Sequence, residues 1–135
     1  MTKLMAGKRG IIMGVANDRS LAWSIAQQLQ EHGAEIAFTY LGDALKKRVV
    51  PLAESIGSTV ILPCNVSDDA EIKEVFKSLK DVWGTIDFVV HAIGFSDKNE
   101  LKGKYVDTSR ENFLMTMDIS CYSLTAVARE AAPLM

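Results

Sequence analysis

Residues 9–26 read RGIIMGVANDRSLAWSIA. Ile11, Ile12 and Met13 form an apolar run that stops at Gly14, and a stretch of small or polar character follows. Ser20 then opens a segment with apolar residues at Leu21, Ala22, Ile25, Ala26 and Leu29. This spacing predicts a strand, a tight turn and a helix. The first turn of a helix has backbone N–H groups without intrahelical partners, and the macrodipole is positive there. A turn that aims such a terminus past a glycine therefore suits a phosphate. Gly14 is the only glycine in this turn, and the three-glycine dinucleotide signature is absent. Read by itself, the turn fits a nucleotide site or a plain tight connection equally.

Outward from this stretch, strand and helix alternate four times. Apolar positions continue to Gly33, a residue suited to the left-handed turn that ends helices. Glu35–Tyr40 (EIAFTY) is rich in strand formers. From Asp43, Leu45, Val49, Leu52 and Ile56 recur at helical spacing up to Gly57, with Pro51 inside, so a kink or two short helical pieces is expected. Thr59–Cys64 reads as a third strand. A helix capped by Ser67-Asp68-Asp69 follows, with Ile72, Val75, Phe76, Leu79 and Val82 on one side and a stop at Gly84.

Ile86–Ile93 (IDFVVHAI) is almost continuously apolar, as a strand covered on both faces should be. Beyond a polar loop from Gly94 to Asp107, Thr108 and Glu111 form a capping box opening a long helix to Met135. Its apolar face is expected to hold Tyr122, Leu124, Val127, Ala128 and Ala131, with Met115, Met117 and Met135 in a core or an interface. The alternation predicts one α/β domain over residues 1–135, with parallel strands joined by right-handed crossovers in a doubly wound, Rossmann-like sheet.

Composition narrows the function classes. At 135 residues, 48% hydrophobic and 24% charged, the chain resembles an ordinary soluble domain. No apolar run approaches the roughly 20 residues of a spanning helix, and the start, MTKLMAGKRG, has too little apolar content for a signal-peptide core. A cytoplasmic protein without membrane partners is expected. Fifteen Lys and Arg against 17 Asp and Glu give a net charge of -2, which offers no general attraction for nucleic acid. Cys64 and Cys121 have no second cysteine or paired histidine at ligand spacing, so no metal site is expected.

In a doubly wound sheet the ligand crevice lies beyond the carboxyl ends of the strands. Those ends are Gly14–Ser20, Tyr40–Asp43, Asn65–Val66 and Ile93–Ser96. A dinucleotide across that rim would meet them as pyrophosphate, adenosine ribose, adenine and nicotinamide half. Tyr40-Leu41-Gly42-Asp43 offers no Arg or Lys for a ribose 2′-phosphate, so NADH is favoured over NADPH; Lys46, Lys47 and Arg48 are the nearest cations. His91 reads as a structural histidine near the end of a buried strand.

These stretches also carry a family resemblance. GVANDRSLAWSIA follows the G-x5-S-[IL]-A variant fingerprint of the divergent short-chain dehydrogenases. With AEIAFTY, Cys64-Asn65-Val66, Trp83-Gly84, Val90–Phe95 and Met117–Ser123, the chain resembles the NADH-dependent enoyl-acyl-carrier-protein reductases of bacterial type II fatty acid synthesis. The resemblance implies strand order 3-2-1-4 and hydride transfer from NADH to an enoyl thioester on acyl carrier protein. By position, Gly14, Ser20 and Leu21 would hold the pyrophosphate, and Leu41 would flank the adenosine. Asn65 and Val66 would hold the adenine, and Ile93 and Gly94 would line the cofactor's central region. Phe95 and Ser96 would begin the acyl pocket.

Asn65 stands where family members commonly carry Asp, and Ala92 where serine is common. An uncharged Asn65 amide implies modestly weaker adenine binding. Asp118 stands near the position of an Asn that supports the proton relay in related dehydrogenases. The family's catalytic tyrosine and lysine follow the helix on which these residues stop. Neither Tyr105 nor Tyr122 has a Lys at the downstream spacing of that relay. The resemblance therefore implies an amino-terminal half without catalytic residues of its own, inactive alone, whose sheet is completed by the carboxyl-terminal half in a homotetramer. Another short-chain dehydrogenase, such as a ketoreductase, or a non-catalytic nucleotide-binding module are the alternatives.

Overall fold

A computed structural model describes residues 3–135; Met1 and Thr2, which open the MTKLMAGKRG start, lie outside the described residues. Four strands, β1 (Arg9–Met13), β2 (Glu35–Tyr40), β3 (Ile61–Pro63) and β4 (Phe88–His91), form a parallel sheet in the order β3-β2-β1-β4. The helices are α1 (Leu21–Glu31), α2 (Gly42–Ser55), α3 (Asp69–Trp83), α4 (Arg110–Met117) and α5 (Ser123–Ala131). The doubly wound arrangement expected from the alternation is thus observed.

Side chains alternate across β1 and so divide the core into two layers. Ile11 and Met13 pack with Ile72, Phe76 and Leu79 of α3 and with Val127 and Ala131 of α5. Ile12 faces the other way and joins Phe38, Trp23 and Ala26 of α1, and Val49 and Ala53 of α2. Burial on both faces explains why β1 can be apolar at consecutive positions.

Several local expectations are corrected. The third and fourth strands are shorter at both ends than Thr59–Cys64 and Ile86–Ile93, because paired residues run only from Ile61 to Pro63 and from Phe88 to His91. β4 is half-buried along its length, since it forms the sheet edge among the described residues. α2 runs unbroken through Pro51. Pro51 and Lys47 are both exposed, so water can take the Lys47 carbonyl that the proline cannot serve.

The helix faces differ as well. In α1 the buried residues are Ala22, Trp23 and Ala26, whereas Leu21 and Ile25 are exposed. Val82 is exposed at the end of α3. The amino-terminal cap of α4 is Ser109 rather than Thr108: Ser109 Oγ accepts from Asn112 N at 3.0 Å, and Glu100 accepts from both Ser109 N and Oγ.

The long helix expected to run from Thr108 to Met135 is interrupted by a π-helical turn at Asp118–Tyr122 and ends in a 3-10 turn at Ala132–Leu134. The π turn inserts an extra residue and rotates α5 relative to α4. As a result Ser123, Ala126, Val127 and Ala131 face inward, while Tyr122, Leu124 and Ala128 are exposed. Met115 is half-buried, and Met117 and Met135 are exposed.

Candidate functional site

The carboxyl ends of all four strands open into one cleft of about 300 Å³. Gly14, Val15 and Ala16 come from the end of β1, and Thr39, Tyr40 and Leu41 from the end of β2. Cys64, Asn65 and Val66 follow β3, and Ala92–Phe95 follow β4. Leu45 of α2 and Ile119 of the π turn complete the lining.

Gly14 has φ +111°, in a region L side chains rarely adopt, and a β-carbon there would drive into the Ala92 carbonyl. The two strand ends are held side by side by Ala92 N donating to Met13 O at 3.0 Å. Glycine is thus required by both dihedral and space.

Ser20 occupies the cap position of α1, but its hydroxyl serves the turn in front of it. Oγ accepts from Ala16 N at 2.9 Å and Asn17 N at 3.1 Å. Both interactions use the oxygen as acceptor, so the hydroxyl proton remains available to an incoming oxyanion. The first amides of α1, at Leu21 and Ala22, have no hydrogen-bond partner among the described residues, because the first turn has no intrahelical acceptors for them. A curled glycine turn, a free hydroxyl proton and two free amides fit a pyrophosphate.

At the adenine position Asn65 Oδ1 already accepts from Ser67 N at 2.9 Å, closing a local turn, and Asn65 N donates to Glu71 Oε1 at 3.1 Å. Its oxygen therefore has one remaining lone pair rather than two. Lys46 Nζ lies 5.8 Å from the centre of the Tyr40 ring. Asp43 sits in the first turn of α2.

The nominated residues do not all share the cleft. Gly14, Leu41, Asn65, Val66, Ile93, Gly94 and Phe95 line it. Ser20 and Leu21 do not line it: Ser20 is joined to the first turn by its hydrogen bonds to Ala16 and Asn17, and the Leu21 side chain is exposed. Ser96 belongs to an adjoining depression of about 340 Å³, with Tyr105, Asn112 and Thr116 among its walls. There Ser96 Oγ accepts from Asn112 Nδ2 at 3.2 Å and from Thr116 Oγ1 at 3.0 Å. Ile119, which sequence reading did not single out, reaches the cleft because the π turn swings it there, and nothing in the local pattern announces such a turn.

His91 is a structural residue. Ser123 Oγ donates to Ile119 O at 2.6 Å, so its bond of 2.7 Å to His91 Nε2 must use the histidine as donor, which selects the Nε2–H tautomer. Burial lowers the His91 pKa from its ordinary value. Asp118 is an exposed residue at the start of the π turn.

Cys64 is buried at the cleft floor, and desolvation pushes its thiol up to about 11, with Glu71 and Asp68 adding in the same direction; Cys121 is exposed. A maleimide at pH 7.5 is therefore expected to label Cys121 and spare Cys64 until denaturant is added, because the thiolate is the reactive form. Peptide mass spectrometry of the labelled chain is the check, and early labelling of Cys64 would contradict its burial. Among the described residues no cluster of His, Cys, Asp or Glu could hold a metal ion. Among them, too, no helix is long and apolar enough to cross a membrane.

Comparison with known proteins gives the arrangement a family. The family model for enoyl-(acyl carrier protein) reductase matches residues 14–135. The chain belongs to the enoyl-(acyl carrier protein) reductase family.

Among curated members of that family, the enoyl-[acyl-carrier-protein] reductase [NADH] 2 of Rhizobium meliloti is 59% identical over 135 residues, covering all of this chain and 50% of that protein. Its reductase 1 is 64% identical over 128 residues, covering 95% of this chain and 47% of that protein. The FabI crystal structure from Candidatus Liberibacter asiaticus superposes with a TM-score of 0.98 at 52% identity, covering 100% of this chain and 52% of that one. The Anaplasma phagocytophilum reductase, solved in complex with NAD, gives 0.95 at 58% identity, covering 99% of this chain and 51% of that one. The chain thus spans about half the length of the relatives it matches.

Proposed function

We propose that this chain is the cofactor-holding half of an NADH-dependent enoyl-acyl-carrier-protein reductase that acts on the trans-2 double bond of enoyl thioesters in fatty acid synthesis. The observation that carries the reading is the convergence of four strand ends on one cleft, with Gly14 curled beneath Ala92 and the α1 amides free beside it. Residues 14–135 match the family throughout.

In this reading the Ser20 hydroxyl and the Leu21 amide bind the pyrophosphate with Gly14 giving backbone access. Leu41 packs on the adenosine, and Asn65 and Val66 hold the adenine. Ile93 and Gly94 line the middle of the cofactor, and Phe95 and Ser96 begin the acyl pocket. When bound, the nicotinamide supplies the hydride that adds to the β-carbon of the thioester. This chain's own residues orient the dinucleotide along the rim; proton delivery and enolate stabilisation are assigned to a Tyr–Lys pair outside these residues. A cytoplasmic homotetramer, in which the exposed Tyr122 and Leu124 side of the last helices pairs subunits, completes the proposal.

Titration calorimetry of the chain with NADH and NADPH is the test. NADH is expected to bind about tenfold more tightly, a difference of ~1.4 kcal/mol. The Leu41-Gly42-Asp43 turn offers a 2′-phosphate no cation, and the Asp43 carboxylate repels it. NADH oxidation with an enoyl thioester is expected only once the Tyr–Lys segment is supplied. Failure to bind either dinucleotide overturns the proposal.

A further inference from the structure

The backbone of residues 93–96 crosses the open end of the cleft with few anchors. Upstream, Ala92 N is bound to Met13 O; downstream, Asp97 N donates to Asn112 Oδ1 at 3.0 Å. Between them, among the described residues, backbone hydrogen bonds are made only at Phe95, and both go to one hydroxyl. Phe95 N donates to Ser120 Oγ at 2.9 Å, and Ser120 Oγ lies 3.2 Å from Phe95 O, to which it donates. A β-carbon added at Gly94 would stand 3.8 Å from the same oxygen, so the glycine and the serine are already in close approach.

Ser120 sits inside the π turn at Asp118–Tyr122. Its neighbour Ile119 lines the cleft itself, and the Ile119 carbonyl is held by Ser123 Oγ, which also accepts from His91 at the end of β4. The turn thus grips the end of the fourth strand at two points, His91 and Phe95, and contributes a wall residue between them. A regular helix would carry Ser120 and Ser123 on different headings, since the extra residue of a π turn changes the rotation of the helix beyond it.

We propose that Ser120 is a positioning residue for the nicotinamide end of the dinucleotide, acting through the Phe95 backbone; this rests on the reading of the cleft as a cofactor site. Its hydroxyl holds the Ile93–Phe95 wall at the distance the ring requires. The adenosine end, built on β1, β2 and β3, does not depend on it.

The test compares NADH with ADP-ribose, which keeps the adenosine and pyrophosphate but lacks the nicotinamide. In calorimetry of the full 135-residue chain, Ser120→Ala is expected to weaken NADH binding about tenfold while leaving ADP-ribose affinity within twofold. Ser120→Thr, which keeps the hydroxyl, is expected to restore NADH affinity. Retained ADP-ribose binding by the alanine variant reports that it is folded. Equal weakening of both ligands assigns Ser120 a merely structural role and overturns the proposal, as does unchanged NADH binding. If the unaltered chain binds ADP-ribose but not NADH, the nicotinamide end is not formed and the proposal fails. If it binds neither, the cofactor reading falls first and takes this proposal with it.

Discussion

Gly14→Ala is expected to destabilise the chain by about 3 kcal/mol and to lower its melting temperature by ~10 °C. Two costs combine. At φ +111° an L side chain is strained, at roughly 1–3 kcal/mol for such a conformation. The new methyl also meets the backbone carbonyl of Ala92, a residue tied to β1 by its own N donating to Met13 O. Relief requires β1 and β4 to separate where the cleft begins, so NADH binding is expected to fall by more than tenfold.

Gly42→Ala is the matched control. Gly42 also has positive φ, at 78°, but a β-carbon there meets nothing within 4 Å, so the expected loss is only about 1 kcal/mol. Urea unfolding of both variants separates strain from collision. Equal losses would show that the Ala92 contact yields freely.

A larger loss, about 4 kcal/mol, is expected for Phe38→Ala. Phe38 lies on β2, is fully buried, and its ring sits 6.2 Å from that of Trp23 on α1 at an interplanar angle of 43°. Truncation opens a cavity between sheet and helix, and the cost combines lost transfer free energy with unfilled space. Phe38→Leu, which keeps most of the volume, is expected to cost about 1.5 kcal/mol.

The two variants also report on function. Trp23 comes directly after Leu21 and Ala22, whose amides have no hydrogen-bond partner among the described residues, so loosening the Phe38–Trp23 contact is expected to move the donors proposed for the pyrophosphate. Urea midpoints, hydrogen exchange along α1 and NADH titration should therefore shift together in Phe38→Ala. Loss of stability with α1 exchange and NADH affinity unchanged would detach this packing from the site.

Much of the scaffold is legible in the sequence because it rests on local chemistry. β-Branched and aromatic runs mark the strands, Gly33, Gly57 and Gly84 mark helix ends, and alternation of the two periods dictates a parallel sheet. Amphipathic spacing names Val49, Ile72, Val75, Phe76 and Leu79 correctly as core. It misleads at Leu21 and Val82, near helix ends, and at Ile25 within α1, all of which are exposed. The strand ends expected to share one rim do open into one cleft.

The sequence by itself determined the order of elements and the parallel topology, because these depend on local backbone preferences and on which residues avoid water, whereas the need for glycine at Gly14 follows from its φ of +111° and the nearby Ala92 carbonyl. Only the tertiary structure decided the rest. Pro51 is tolerated because its turn of α2 faces solvent. Ser109 displaces Thr108 as a cap because Glu100, in the loop just before α4, accepts from both its N and its Oγ. The last helix yields a π turn in which Ser123 bonds His91 at the end of β4 and the neighbouring Ser120 bonds Phe95 in the segment beyond it. Each of these depends on surroundings that exist only in the folded chain, and a local pattern carries no information about a hydrogen bond that closes only after the sheet and helices have packed.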